Sequence, residues 1–372
     1  MQHEQKKPND QINSGGEAGK GFSLLQKKKP RQDGFSGTVF LVFALITLAT
    51  MILCICLGSV TIPVKDTVTV IWRAITRQEI PKEITAGSII LSVRLPRVLC
   101  VALTGAALSL GGTAMQGLLK NPLADGSTLG VSSGASLGAV LAIAFGITLP
   151  GFPFSGTMVM AILFAFLSLV IIMALAYRLD YSLSTNTIVL IGIVYSMFVN
   201  SVMSIVVTFA SDKVKSITFW TMGSLAGSNY RNAGVLAAVL VLGSIVLFRY
   251  AQELNAFAIG EDNARHIGVN VRRVRVVVLV TVSALIGVCV SIGGSIGFVG
   301  LVTPHIVRMI TGPNHRRLIP AVLFGGAVFL MLADLVARIL LRPLELPIGV
   351  VTSFVGAILF VYIFYKTRNQ NA

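Results

Sequence analysis

The sequence predicts an all-α, polytopic membrane protein in which ten membrane-crossing helices pack as one compact bundle with inverted-repeat character. Three observations predict it. The 372 residues are 54% hydrophobic and only 12% charged, against roughly 25% charged in soluble domains. Uncharged runs close to the ~20 residues that span a bilayer core recur along the chain. These runs are also dense in Gly, Ala and Ser, which let helix backbones approach closely where lipid gives no hydrophobic driving force.

The elements follow in order. Residues 1–37 read as a flexible, basic cytoplasmic tail carrying Lys6, Lys7, Lys20, Lys27, Lys28, Lys29 and Arg31. The apolar run 38–60 comes next, too long and too far from the start for a signal peptide, and is read as the first anchor. Further spans are expected at 94–118, 126–148, 155–178, 186–210, 233–251, 274–296, 297–311, 319–341 and 347–365, closing the 38–365 membrane domain before a short tail at 366–372. The eighth is too short for a straight crossing, so its neighbourhood should bend or re-enter. An even number of spans puts both ends on one side, and the Lys and Arg bias places that side in the cytoplasm. That bias comes mainly from the tail, because the other basic residues divide almost evenly.

Gly105, Ala106, Ala107, Ser109, Gly111, Gly112 and Ala114 crowd the second span. Within it LSLGGTAMQG, from Leu108, echoes VSIGGSIGFVG, from Val290. The two spans run in opposite directions in this topology, as inverted-repeat transporters require.

Several functions are set aside by composition. The net charge of +15 flanks apolar runs and accompanies no aromatic-rich soluble module, so it reads as membrane-surface charge, with no nucleic-acid partner. Cys54, Cys56, Cys100 and Cys289 lack zinc or redox spacing and read as packing residues. SGGEAGKG places Ser14 and Gly21 where a phosphate loop needs Gly and Ser or Thr. The chain is therefore read as no enzyme, with no catalytic residue, metal site or cofactor of its own.

Gly294 to Arg317, GSIGFVGLVTPHIVRMITGPNHRR, is the densest concentration of unusual residues. Its glycines permit an irregular backbone, and Pro304 removes a backbone donor and should kink the eighth span. His305 has no second ligand at helical spacing. Arg308, Arg316 and Arg317 mark the inner surface, where Gly312 and Pro313 turn the chain.

Other candidates each have a bland counterpart. Ser196, Asn200, Ser204 and Thr208 recur every fourth residue and form a winding stripe on span five, either passage lining or interhelical glue. Arg94 and Arg97 bracket Pro96, and Arg338 ends span nine. As exposed forks they suit carboxylates, or they snorkel, or Arg338 pairs with Asp334 four residues earlier. Asn121 and Pro122 favour a sharp turn in NPLAD. Gly260 to Val269, GEDNARHIGV, is a short polar loop that either receives a partner or is merely solvated.

FVGLVTPHIVRMITGPNHRRLIP closely resembles the signature of FecCD-type permeases, the membrane subunits of ABC importers for iron-siderophores, haem and cobalamin. RLPRVLCVALTGAALSLGGTAMQGLLKNPLADGSTLGVSSGA from Arg94, WTMGSL from Trp220, LNAFAIGEDNARHIGVNVRRVR from Leu254 and LADLVARILLRPLELPIGVVTSFVGA from Leu332 match the same family in the same order.

The resemblance implies a permease in the bacterial cytoplasmic membrane, paired with a second copy or a paralogue. It also implies two cytoplasmic ATPases, which hold ATP and Mg, and an extracytoplasmic substrate-binding protein. It assigns Gly260, Glu261, Ala264, Arg265 and Gly268 to the ATPase-coupling loop. Arg94, Arg97 and Arg338 become docking points for the binding protein. Spans five and ten, with Thr352, Ser353 and Gly356, line the passage, and Asn121, Leu123, Thr185 and Asn186 form its cytoplasmic gate. Many relatives carry Pro where Ile358 stands here, which should leave span ten straighter. An ion-coupled secondary transporter, with Asp334 as its ionisable residue, and a membrane sensor are the rivals.

Overall fold

The computed structural model describes residues 37–58, 62–78, 87–149, 155–181 and 183–370. The expected basic tail, apart from Gly37, lies outside them. Fourteen α-helices organise the described residues. They are α1 (Gly37–Cys56), α2 (Val64–Thr76), α3 (Gly87–Leu118), α4 (Val131–Ala144), α5 (Gly156–Leu179), α6 (Thr185–Phe209) and α7 (Val214–Thr221), followed by α8 (Tyr230–Arg249), α9 (Ala251–Ile259), α10 (Glu261–His266), α11 (Val271–Gly293), α12 (Val299–Thr311), α13 (His315–Ile339) and α14 (Ile348–Gln370).

Seven of these are long and apolar enough to cross a membrane, and α4, α12 and the Ile348–Tyr362 part of α14 are shorter apolar helices. Together they occupy the ten expected spans. Limits differ where local chemistry intervenes. Span two begins earlier than expected, at Gly87, because Ile90–Arg94 forms a π-helical turn just ahead of Pro96. A proline has no N–H and crowds the carbonyl four residues back, and widening that turn absorbs both problems without ending the helix. Span three is only 14 residues long. Gly130 opens it at φ +73°, a conformation that favours glycine, and an added Cβ would lie a tight 3.0 Å from the carbonyl of Gly192 in α6. The amphipathic α2 and the short α7 fall between spans and were not anticipated.

The spatial centre is α3, which packs most extensively on α13, with α11, α12 and α8 around it. A Cβ built on Gly105 would lie 2.2 Å from the Gly326 carbonyl, and one on Gly112 would lie 1.8 Å from that of Gly300. The small residues of span two thus bring backbones into contact, as lipid-embedded packing demands. The two glycine-rich echoes are not equivalent in backbone: Leu108–Gly117 is helical, whereas Val290–Gly300 covers the end of α11, a non-helical turn and the start of α12. They meet each other at Gly112 and Gly300. Cys54, Cys56, Cys100 and Cys289 are free and buried.

The turn between α11 and α12 is the expected irregular stretch. Gly294 and Phe298 both adopt positive φ, +68° and +67°. Such backbone survives at membrane depth only when protein surrounds it, and here Ser224 of the segment after α7 donates to the Gly293 carbonyl at 2.8 Å. Pro304 stands inside α12 without ending it. Its missing N–H orphans the carbonyl of Gly300, and Gln116 of α3 supplies a side-chain amide to Gly300 (3.4 Å) and Leu301 (3.2 Å). Arg308 donates to the other end of Gln116 at 2.9 Å, so the amide is held at both ends.

Candidate translocation and coupling site

The bundle has two faces, one holding the start of α1 (the N-terminal face) and one holding its end. On the opposite face the sequence leads to exposed arginine forks, and the structure corrects this. Arg94, Arg97 and Arg338 are all buried. Arg94 donates to the carbonyls of Ile55 and Cys56 at the end of α1, at 2.6 and 3.0 Å. Arg338 reaches the carbonyls of Cys54 (2.9 Å) and Leu57 (3.1 Å) and forms a 2.9 Å ion pair with Asp334. Arg97 grips Asp334 (2.9 Å) with one edge and Glu345, in the α13–α14 connection, with another (2.8 Å). The physical reason is plain: α1 ends without a following turn of helix, its last carbonyls need donors, and a buried carboxylate needs cations. The expected Asp334–Arg338 pair is present. Glu345 was missed, because nothing in LRPLELP marks it as a partner for a residue so far back in the chain.

On the flank, Asn200, Ser204 and Thr208 of α6 are exposed, and Ser196 is half-buried. Ser196, Ser204 and Thr208 hydroxyls donate to the carbonyls four residues back, at 2.8, 3.0 and 2.9 Å. Met197, Phe198, Ile205 and Phe209 flank this stripe and are exposed too. In α14 the expectation needs correcting: Thr352 is fully buried and bonds to Gly349, and Gly356 is pressed against Phe298. Only Ser353 of the three retains partial exposure. Phe298, at positive φ, sets its side chain against Gly356 of α14, where an added Cβ would lie 2.4 Å from the Phe298 Cβ.

The NPLAD turn closes as expected, with the Asn121 carboxamide oxygen accepting from the Leu123 N–H at 2.9 Å. Leu123 is exposed and lines a cavity of about 250 Å³ with Leu108, Asp125, Ile286, Phe298 and Leu301, which joins this turn to the irregular turn before α12. Thr185 and Asn186 lie outside that lining. They begin α6, where Asp180 accepts from the Ser184 N–H (3.0 Å) and the Thr187 hydroxyl (3.2 Å).

The Gly260 to Val269 loop, on the N-terminal face, contains α10, which forms a helical hairpin with the preceding α9, hinged at Gly260, whose φ of +145° only glycine adopts easily. Ala264 does not form part of its surface: it is buried and turned toward the bundle, as the apolar side of a one-turn helix must be. The exposed tip consists of Ile259 and Ile267, each 70% exposed, with Arg265 and the open Gly268 beside them. Glu261 spans two roles. One oxygen takes Arg265 at 2.7 Å, and the other takes the fully buried Arg275 of α11 at 2.8 Å. Arg275 also donates to the carbonyl of Leu183, just before α6.

A second tie was missed. Asn255 of α9 accepts from the backbone N–H of His315 (2.9 Å), meets its ring Nδ1 (2.8 Å), and donates to Asn314 (3.0 Å). The N-cap of α13 is therefore bolted to the hairpin. An Asn-His pair after a Gly-Pro turn was a visible N-cap signal, but its partner sixty residues earlier was not.

Comparison with known proteins places this arrangement. Residues 46–366 match the FecCD transport family. The chain is 38% identical over 318 residues to the uncharacterized ABC transporter permease protein YvrB of Bacillus subtilis, covering 85% of this chain and 90% of that one. It is 38% identical over 279 residues to the cobalamin import system permease protein BtuC of Halobacterium salinarum, 75% of this chain and 74% of that one. Against the molybdate import system permease protein MolB of Haemophilus influenzae it is 33% identical over 326 residues, 87% and 94%. A solved structure described as an inward-facing conformation of a metal-chelate type ABC transporter superposes with a TM-score of 0.77 at 31% identity, covering 89% of this chain and all of that one. A ten-span bundle with a glycine-zipped centre and a short helical hairpin at one face therefore has a family: the chain belongs to the FecCD transport family and is a permease subunit of an ABC importer.

Proposed function

We propose that the chain is the permease of an ATP-driven importer for an iron-siderophore, working in the bacterial cytoplasmic membrane with both termini cytoplasmic. Two permease subunits, identical or paralogous, form the passage between them. Two ATPases engage the N-terminal face, and a substrate-binding protein delivers from the opposite side. The observation that carries the pairing is the exposed polar stripe of α6. An asparagine facing hydrocarbon is costly and marks a bundle interior or a wet path, and among the described residues Asn200, Ser204 and Thr208 stay exposed, the first two lining an open cavity shared with Val140 and Thr218. Ser196, Asn200, Ser204, Thr208 and Ser353 line the passage in this reading.

The gate lies at Asn121, Leu123, Thr185 and Asn186. Coupling runs through Gly260, Glu261, Arg265 and Gly268, with Ile259 and Ile267 as the apolar tip. The binding protein docks over Arg94, Arg97 and Arg338, with Arg97 holding Glu345 at the rim. The rival reading of a gradient-driven carrier leans on Asp334, and that carboxylate is already shared between Arg97 and Arg338.

The chain should be reconstituted in vesicles with its ATPase and binding protein and offered a ferric siderophore, haem or cobalamin. ATP-dependent accumulation of the ferric siderophore is expected, with no nucleotide hydrolysis by the purified chain alone. Uptake of cobalamin in its place reassigns the substrate toward that of the relative from Halobacterium, and uptake driven by an ion gradient without ATPase refutes the reading.

A further inference from the structure

We propose that α2 is an interfacial helix whose partner is the lipid surface itself, with Val64, Val68 and Trp72 seated at the boundary between headgroups and acyl chains. At about 100° per residue, these three positions advance by about 40° each and form one strip along the helix. They are 58%, 47% and 63% exposed. Thr67 and Val70, further round the same apolar arc, are fully buried. The protein covers them: α2 packs on α1 and on the π-helical turn of α3, and Cys56 Sγ lies 3.3 Å from the Thr67 hydroxyl. Lys65, Asp66, Thr69 and Arg73 occupy the remaining side.

The helix is thus divided into three sectors. One is packed on the bundle, one is polar, and one is apolar with no protein cover among the described residues. A helix in open water needs only the first two. The third sector is what a helix lying in the plane of a membrane interface presents to lipid, and tryptophan is the residue enriched at that level.

Continuity supports the same occupant. Leu53 near the end of α1, and Ile89 and Val93 at the start of α3, are exposed apolar residues on the two elements against which α2 rests. On a membrane-crossing bundle these belong to the lipid-facing belt, so the strip of α2 extends that belt at its rim. A binding protein arriving from water would instead meet the polar sector.

The test uses tryptophan fluorescence of the full chain in vesicles of phosphatidylcholine and phosphatidylglycerol. The chain has two tryptophans, so Trp220→Phe leaves Trp72 as the reporter. Bromines placed high on the lipid acyl chains should quench Trp72 roughly twice as strongly as bromines near the chain ends, matching the shallow burial of an interfacial helix. Iodide on both sides of the membrane should quench it little. Strong iodide quenching without bromolipid quenching overturns the proposal and leaves the strip for a water-borne partner, as does bromolipid quenching that is strongest at the chain ends. Should Trp220→Phe fail to fold, Val68→Cys carrying a spin label gives the same answer, because the four native cysteines are buried. Oxygen access exceeding that of a water-soluble nickel complex supports the lipid contact, and the reverse refutes it.

Discussion

α3 and α6 are both continuous apolar helices, yet the most apolar window of the first is 78% buried and that of the second 22%. Hydropathy does not separate them; side-chain size does. Where α3 meets its neighbours it carries Gly105, Ser109 and Gly112, and backbones touch. Over the same kind of distance α6 carries Met197, Phe198, Ile205 and Phe209, all exposed. In lipid, apolar surface alone gives no reason to associate, so close approach and satisfied polar groups decide which helix becomes the centre. α6, with large apolar residues beside an exposed Asn200, keeps that surface outside the core of its own chain.

This contrast can be broken at four places, in descending order of effect. Asp334→Ala strips the carboxylate from two buried guanidiniums, one of them on α3. Removing one partner of a buried pair costs ~3–5 kcal/mol, so thermal unfolding of the detergent-solubilised chain should begin at a markedly lower temperature; an unchanged transition would show that the cluster does not hold α3 to α13. Gly112→Ala comes next. Its new methyl would meet the Gly300 carbonyl, and the backbones must part at a cost of ~3 kcal/mol, read from the same unfolding curves. Equal stability there would mean that the centre is looser than the packing indicates.

Ser168→Ala sharpens the comparison from the side of α6. The Ser168 hydroxyl lies 2.7 Å from the Tyr195 hydroxyl, a polar tie between α5 and α6. Such ties in membranes average ~0.6 kcal/mol, and a loss several times larger would give α6 a share in the core that its exposure denies. Asn200→Leu should have the smallest effect on the fold of one chain, within ~0.5 kcal/mol. Its consequence should appear between chains, as weakened energy transfer between labelled permease copies in vesicles. Full pairing and full transport by this variant would remove the stripe from the passage.

The spans were legible because lipid leaves a simple record: long uncharged runs. Within that record, direction around each helix was hard to read. Most of the membrane part of α14 is apolar, so nothing in its sequence indicated that Thr352 is buried and that Gly356 packs on Phe298. Charge misled in the opposite sense. An arginine normally signals surface, and Arg94, Arg97 and Arg338 lie inside because distant carbonyls and carboxylates, brought by α1 and the α13–α14 connection, receive them. α2 went unread because Lys65, Asp66 and Arg73 interrupt its apolar residues, so no uncharged run announces it. Its helical period was present, but in a segment too short for a span. The polar Gly260–Val269 loop was singled out by its composition and by family resemblance, and only its three-dimensional form distinguishes the inward Ala264 from the outward Ile259 and Ile267.

Arg275 has a mechanical consequence. Its fully buried guanidinium joins Glu261 of the hairpin to the carbonyl of Leu183 immediately ahead of α6. Stripping one partner from such a group costs ~1–3 kcal/mol or more, so a tug on the hairpin is cheaper to accommodate by dragging the root of α6 along than by letting go. The hairpin and the root of the stripe-bearing helix are thereby geared to each other, and Arg275→Lys, with one point of attachment instead of a fork, would introduce backlash between them.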